Sequence, residues 1–244
     1  GEHTDYRGIA VGVAALDLGA AALAWVMFRE TRSAAARAAA RHERRRAVAP
    51  QRYAAIRRTL GDPMLRRLAA FAGSFAVVDS TLPLFAVSAH GFSPAQISYT
   101  FTLMGVVTTL TQGVLLRRLV VALGAVDTVL LAVLALAVGH ALVALSTSPW
   151  VVAVGCAALA TSLGLFIAPA SSLIAGCAGE HERGAILGVY QGAGNVAKVL
   201  TPLASGMLFV QVGASAPFIG AALMLVPIAV LLVATREAPA PQSH

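Results

Sequence analysis

The sequence predicts an all-α membrane protein whose main part is a six-helix transmembrane bundle. Seven apolar stretches predict it, at about 8–28, 64–88, 94–116, 119–145, 149–178, 184–210 and 216–235. Each is long enough for the ~20 helical residues that cross a bilayer. Because backbone amides in hydrocarbon need partners within their own segment, stretches of this length predict helices rather than strands.

The distribution of arginine is the second observation, and it predicts how the helices are oriented. If residues 29–63 are cytoplasmic, every arginine except Arg7 falls on the cytoplasmic side. The opposite loops, at 90–91, 146–148 and 211–216, contain neither Lys nor Arg. This positive-inside bias predicts an N-terminus outside and a C-terminus in the cytoplasm.

The net charge of +7 would point to nucleic acid in a soluble protein, because clustered cations neutralise phosphates. In a membrane protein the same charge faces anionic lipid headgroups. We therefore expect the lipid bilayer, and no nucleic acid, as a partner.

Composition divides the chain into four parts: a lone transmembrane helix (1–30), a basic cytoplasmic linker (31–62), the six-helix bundle (63–236) and a cytoplasmic tail (237–244). The linker is rich in Ala and Arg, so amphipathic helices are predicted at 33–48 and 51–60, on either side of Pro50. The chain opens on Gly1 rather than Met, in what reads as an extracellular loop, so we expect further sequence upstream.

Three helix starts carry a capping side chain followed by a proline at the first helical position: Asp62-Pro63, Ser93-Pro94 and Ser148-Pro149. The missing N–H of proline costs nothing there. Ser93 and Gln96 also have the spacing of a capping box.

Polar residues predict which helices face water. The helices at 119–145 and 216–235 are almost wholly apolar at their centres and are expected to face lipid. Two others carry polar stripes at helical spacing: Ser98, Thr102, Gly105, Thr109 and Gln112 on one, and Gln191, Asn195, Lys198, Pro202 and Ser205 on the other. The stripes predict a shared aqueous pathway; alternatively, such groups hold helices together or bond to their own carbonyls.

Charged residues within the apolar stretches are candidates for that pathway. Lys198 is the only lysine and Asn195 the only asparagine. A cation at the bilayer centre costs about 2.5–3.5 kcal/mol, so it should face a cavity or a counter-ion. Asp79 is the expected partner, at the same depth of about 21–23 Å from the cytoplasmic helix ends. The pair either opens during function or is a static structural contact. Asp17 is a third charge with the same two interpretations, and His140 is either a hydrogen-bonded structural residue or a proton relay.

Gly184, Gly188 and Gly192 recur every four residues and predict a ridge on which another helix can pack closely. Cys156 and Cys177 would lie about 31 Å apart on one helix, so they cannot form a disulfide. No metal-ligand spacing surrounds them, and we expect neither a metal nor a cofactor.

Three segments together resemble the C-terminal half of the major facilitator superfamily, especially its bacterial drug-exporter branches. GVLLRRLVVALG, residues 113–124, is similar to a basic loop of that family, with Arg117 and Arg118 at the recognisable positions. Residues 180–209, which include the Arg183-Gly184 pair, resemble its tenth loop and eleventh helix. The FRETR segment, residues 28–32, resembles the end of its sixth helix.

The resemblance implies helices six to twelve of a twelve-helix permease that exchanges a small molecule for protons, with the preceding N-terminal helices as a missing partner. Arg117, Arg118 and Arg183 would form a cytoplasmic gate. The solute and proton path would contain Asp79, Lys198, Asn195, Gln191, Thr109, Gln112 and Asp17. Abundant Ala and Arg with a single Lys indicate a GC-rich bacterial genome, so the bacterial inner membrane is the expected location.

Other functions remain open at this stage. A seven-helix photoreceptor would need its Schiff-base lysine in the last helix and an aromatic-rich pocket, whereas Lys198 is in the sixth and aromatic residues are scarce. A membrane enzyme would need a nucleophile and base, paired carboxylates or a metal cluster at depth, and the sequence offers none of these patterns. We therefore expect no enzymatic activity. A non-transporting assembly subunit is a further alternative.

Overall fold

The computed structural model describes residues 6–27, 61, 63–176 and 183–236. Every regular element in these ranges is a helix, and the helices are α1 (Tyr6–Met27), α2 (Pro63–His90), α3 (Pro94–Leu123), α4 (Ala125–Ala144), α5 (Pro149–Gly176), α6 (Arg183–Gln211) and α7 (Ala216–Arg236). The chain forms two compact units, one containing α1 and the other containing α2 to α7. The linker helices predicted at 33–48 and 51–60 and the tail at 237–244 lie outside the described residues.

The helix starts predicted from capping residues agree with the structure where they are described. At the start of α3, the Gln96 N–H donates to Ser93 Oγ at 3.3 Å, and the Ser93 N–H donates to Gln96 Oε1 at 2.8 Å. This reciprocal pair is the predicted capping box. The helices α2 and α5 begin at Pro63 and Pro149, as predicted. Asp62 lies outside the described residues.

The predicted end of α3 is wrong. The expected loop around Arg117 and Arg118 is helical: after a π-helical turn at Thr111–Leu115, α3 continues through Leu116–Leu123. No Gly or Pro interrupts residues 116–123, so nothing in that stretch breaks the helix. The break falls at Gly124, whose φ of +84° is a conformation that glycine adopts readily, and α4 begins at Ala125 rather than near residue 119.

The six-helix bundle is organised around the close pair of α4 and α5. The helix α7 packs against α4, α3 packs against α5, and α2 packs against both α6 and α7. Aromatic rings connect these helices: Phe71 of α2 stacks on Phe166 of α5 at 3.5 Å between centroids, and Phe85 of α2 meets Phe218 of α7 edge-on at 5.2 Å. Other fully buried members of this core are Val78, Leu136, Leu159, Leu165 and Leu225.

Glycines allow α4 and α5 to approach closely. A Cβ added to Gly139 would lie 2.8 Å from the Leu159 side chain and 3.0 Å from the Gly155 carbonyl oxygen. A Cβ added to Gly155 would lie 2.9 Å from Val143 Cγ2. Because real Cβ atoms do not make contacts this short, only glycine fits at these positions.

Four of the described helices, α3, α4, α5 and α6, are long and apolar enough to cross a membrane, and the apolar stretch Ala216–Val230 of α7 is shorter. The outward residues of α4 include Leu131, Leu134 and Val138, as expected for a face toward lipid. Its opposite face is part of the core, with Val133 and Leu136 buried. In contrast, α3 and α6 leave most of their side chains exposed.

Candidate functional site

The polar stripe of α3 lies on the exposed surface of the bundle. Its five members, Ser98, Thr102, Gly105, Thr109 and Gln112, are all exposed. The Ser98, Thr102 and Thr109 hydroxyls donate to carbonyl oxygens four residues earlier in α3, at 2.8–3.0 Å. These hydroxyls retain lone pairs that can accept hydrogen bonds from a ligand or water. Their hydrogen bonds within the helix therefore do not prevent them from lining an aqueous path.

The opposite side of α3 is fixed to α5. The Thr108 hydroxyl donates to the Ala160 carbonyl at 3.1 Å, and Thr111 is buried against Gly164, where an added Cβ would lie 2.8 Å from the threonine side chain. The π-helical turn begins at Thr111 and contains Gln112. Because π-turns in α-helices often occur at functional sites, the turn is a second reason, besides polarity, to keep Gln112 as a candidate site residue.

The polar stripe of α6 is exposed at four of its five predicted positions: Gln191, Asn195, Lys198 and Pro202. Ser205 is the exception, because it is only 2% exposed and its Oγ lies 3.3 Å from Ser80 Oγ on α2. Its assignment to the aqueous stripe is therefore wrong. Ser205 belongs to the contact between helices, which is the alternative role of such hydroxyls.

The contacts between α2 and α6 define their register. A Cβ on Gly73 of α2 would lie 3.3 Å from Ala197 Cβ, and the Thr201 hydroxyl is 3.3 Å from the Gly73 carbonyl oxygen. Further along both helices, Ser80 meets Ser205. The two helices therefore run in the same direction. Each residue of α2 lies beside the α6 residue that comes about 125 positions later in the sequence.

Asp79 and Lys198 are both exposed, and Lys198 attracts the Asp79 carboxyl group electrostatically. At 3.6 residues per turn, the contacts with Gly73 and Ser80 place Asp79 and the α6 stripe on the same side of the α2–α6 pair. The expectation of equal depth is corrected, because in this register Lys198 is level with Gly73. The offset between Lys198 and Asp79 is about six residues, or ~9 Å along the helices.

The glycine ridge of α6 does not pack against any described part of the bundle. A Cβ added to Gly184, Gly188 or Gly192 would meet nothing within 4 Å, and all three residues are exposed. The glycines that make close contacts are Gly139 and Gly155 instead. Among the described helices the ridge therefore has no packing partner, and its role in helix packing stays a prediction.

The predicted gate residues are exposed, with Arg117 and Arg118 on the last helical segment of α3 and Arg183 at the first residue of α6. Asp17 is exposed on α1, which belongs to the other compact unit. The structure therefore brings together Asp79 with the α6 stripe, while Asp17 remains a candidate by itself. The described residues contain no cluster of His, Cys, Asp and Glu that could hold a metal ion.

A buried polar contact between α2 and α4 was only partly anticipated. The His140 ring is fully buried, with Nδ1 2.8 Å from the Leu136 carbonyl oxygen and Nε2 3.2 Å from the Ser74 carbonyl oxygen. These contacts agree with the predicted hydrogen-bonded structural role. Ser74 Oγ is buried without a hydrogen-bond partner among the described atoms. No sequence signal paired Ser74 with His140, because the two residues lie 66 positions apart.

The helical architecture, with long apolar helices that expose polar stripes, defines the class as a multi-pass membrane protein. The family model described as Major Facilitator Superfamily matches residues 74–244, which is most of the chain. The chain therefore belongs to the major facilitator superfamily. This assignment replaces the photoreceptor and membrane-enzyme alternatives.

A solved structure supports the same fold. The chain is similar to the human organic anion transporter MFSD10 (TETRAN), with a TM-score of 0.64 and 25% sequence identity over 69% of this chain. The matched region covers 40% of that human protein, so the chain spans well under half of its relative. No curated protein sequence matches the chain.

Proposed function

We propose that this chain is the C-terminal portion of a secondary active transporter of the drug-exporter type, which moves a small molecule outward in exchange for protons. The observation that carries the proposal is the common face formed by Asp79 and the α6 stripe in an otherwise apolar bundle. Charges within a membrane span are costly unless they face water, a cavity or a counter-ion. Family membership and the partial coverage of the human transporter support this assignment.

The proposed solute and proton path contains Asp79, Lys198, Asn195 and Gln191 on one pair of helices, together with Thr109 and Gln112 on α3. Asp17 on α1, in the other compact unit, is a separate candidate. In our account, Asp79 exchanges protons. When Asp79 is protonated, it no longer attracts Lys198 electrostatically. The relative free energies of the transporter's conformations then change. A proton gradient can bias a conformational equilibrium in this way, because protons then bind one state better than the other.

The exposed glycines Gly184, Gly188 and Gly192 would form part of the surface that meets the N-terminal half of the transporter. Their lack of a partner among the described helices supports this proposal. Small residues let two helix backbones approach closely in a membrane, which suits an interface that opens and closes. The exposed arginines Arg117, Arg118 and Arg183 would close the cytoplasmic side of that interface.

We place the protein in the bacterial inner membrane, with its N-terminus outside and its C-terminus in the cytoplasm. The arginine distribution supports this orientation. Two exposed aromatic residues at the helix ends assigned to the outside support the same orientation. Tyr99 is 73% exposed near the start of α3, and Trp150 is 82% exposed at the start of α5. Tyr and Trp are enriched at membrane interfaces, so both residues suit the outer interface.

The human relative is named an organic anion transporter. For this chain, we propose that the solute carries an anionic group, because the Lys198 ammonium is exposed on the proposed path. Exposed apolar residues such as Val199 and Leu203, on the same helix, would contact the apolar part of an amphipathic solute. We propose no chemical reaction for the chain.

The test uses the complete open reading frame that encodes this chain, reconstituted in vesicles with an imposed proton gradient. Solute-driven proton flux, recorded with a pH-sensitive dye, should be at least tenfold lower in Asp79→Asn and Lys198→Ala than in the unsubstituted protein. Ser171→Ala is the matched control, because its hydroxyl only donates to the Ile167 carbonyl of its own helix. Unchanged flux in both charge variants would reduce the pair to a structural contact, and an open reading frame that begins near Gly1 would contradict the assignment as the C-terminal portion.

A further inference from the structure

Asp79 and Lys198 form two separate charged positions rather than one closed ion pair. The contacts Gly73–Ala197 and Ser80–Ser205 place Lys198 about six residues before the level of Asp79, which is ~9 Å along the helices. Both residues are exposed, and both lie on the same side of the α2–α6 pair. Each charge is therefore exposed, and the two residues that carry the charges lie at different levels along the helices.

Prolines add a polar backbone atom at each of these positions. Pro83 lies four residues after Asp79, and Pro202 lies four residues after Lys198. Proline has no N–H, so the carbonyl oxygens of Asp79 and Lys198 both lose their helical donor. The Asp79 position thus offers a carboxylate and a carbonyl oxygen, both of which accept hydrogen bonds from a cationic group.

The Lys198 position has the opposite character. Its ammonium group lies on the same exposed stripe as the amides of Asn195 and Gln191. Ammonium and amide N–H groups donate hydrogen bonds, and together they suit a carboxylate, sulfonate or phosphate oxygen.

We propose that the transported solute is zwitterionic, with a cationic group bound at Asp79 and an anionic group bound at Lys198, two positions offset by about 9 Å along the helix axes. This proposal rests on the function proposed above and names its substrate class. A solute with one charge gains a charge-assisted contact at only one of the two positions. A zwitterion of matching length satisfies both.

The same arrangement gives the direction of coupling. A proton on Asp79 removes the negative charge that attracts the cationic group and leaves Lys198 unchanged, so proton and solute compete for Asp79. Competition for one site is what exchange requires. Among the described residues, Lys198 is the charged group that acts on Asp79. His140 of α4 contacts α2 on its buried side, at Ser74.

The experiment measures binding to the complete protein in lipid nanodiscs by calorimetry. Three probes with permanent charges share one chain length: a sulfobetaine with six methylenes between its quaternary ammonium and sulfonate, hexanesulfonate, and hexyltrimethylammonium. The sulfobetaine should bind at least tenfold more tightly than either single ion. In Asp79→Asn, the sulfobetaine should bind no more tightly than hexanesulfonate. In Lys198→Gln, it should bind no more tightly than hexyltrimethylammonium.

Ser171→Ala should retain the full preference. Asp79→Asn should still bind hexanesulfonate as the unsubstituted protein does, and Lys198→Gln should still bind hexyltrimethylammonium, which shows that each single variant is folded. Equal affinity of the sulfonate and the sulfobetaine in the unsubstituted protein would overturn the proposal in favour of an anion site at Lys198 alone. Equal affinity of the ammonium ion and the sulfobetaine would overturn the proposal in favour of a cation site at Asp79 alone. If none of the probes binds, the zwitterion proposal fails, while solute-driven proton flux in the vesicle assay would still support the proposed function.

Discussion

The close contact between α4 and α5 provides the sharpest test of the bundle. In Gly139→Ala, the new methyl group would lie 2.8 Å from the Leu159 side chain and 3.0 Å from the Gly155 carbonyl oxygen. The leucine can adopt another rotamer, but the carbonyl belongs to the backbone of α5, so the helices must move apart. Overpacking of this kind costs about 1–3 kcal/mol.

A matched variant isolates that cost. At Gly206 of α6, an added Cβ would meet nothing within 4 Å. Replacing glycine by alanine inside a helix gains about 1 kcal/mol of helix propensity at either site. The difference between Gly139→Ala and Gly206→Ala in the free energy of unfolding is therefore the packing cost alone, and we expect Gly139→Ala to be less stable by about 1–3 kcal/mol.

Thermal unfolding of the detergent-purified protein, followed by tryptophan fluorescence, measures this difference. At roughly 2–4 °C per kcal/mol for a chain of this size, a gap of several degrees should separate the two melting temperatures. Gly155→Ala should behave like Gly139→Ala, because its Cβ would lie 2.9 Å from Val143 Cγ2. If Gly139→Ala melts at or above the temperature of Gly206→Ala, then α4 and α5 do not approach as described.

Three further predictions concern other parts of the bundle. Gly188→Leu should not lower the melting temperature of this chain, because its surroundings are open, and should reduce transport by the complete protein; a melting temperature lowered as far as in Gly139→Ala would contradict this. His140→Leu should destabilise the bundle by about 0.6–1.7 kcal/mol, the range for hydrogen bonds between membrane helices, whereas Ser74→Ala should keep this contact, because His140 lies against the Ser74 backbone carbonyl and Ser74 Oγ has no partner among the described atoms; equal losses of stability in the two variants would contradict this. Deleting Gly113 should convert the π-turn into regular α-helix and lower transport, because the π-turn accommodates one extra residue; an unchanged melting temperature and unchanged transport would show that the turn has no role.

Much of the fold was predictable because the signals for it are local. Apolar stretches of bilayer length, and a capping residue followed by proline, act within one segment, so the starts of α2, α3 and α5 agree with the sequence. The end of α3 was predicted incorrectly because a pair of arginines was interpreted as a loop. Charge alone does not break a helix, and the positive φ of Gly124 does.

The candidate site was less predictable because it depends on register between helices. Periodicity identified the faces of α3 and α6, and these faces are exposed, but it could not show that Ser205 turns toward Ser80. Depth counted from predicted helix ends placed Asp79 and Lys198 level, whereas the contact at Gly73 offsets them. The glycines that pack closely, Gly139 and Gly155, form no motif within one helix, because the contact joins two helices.

The central claim is that the polar face of α6 is in contact with water inside a membrane protein. Thiol labelling tests it most directly, in the complete protein in intact membranes, with Cys156 and Cys177 first replaced by alanine. Asn195→Cys on the α6 stripe should react with a charged, membrane-impermeant maleimide, whereas Leu134→Cys on the outward apolar face of α4 should react only after denaturation. Rapid labelling at Leu134→Cys, with Asn195→Cys protected, would contradict the account.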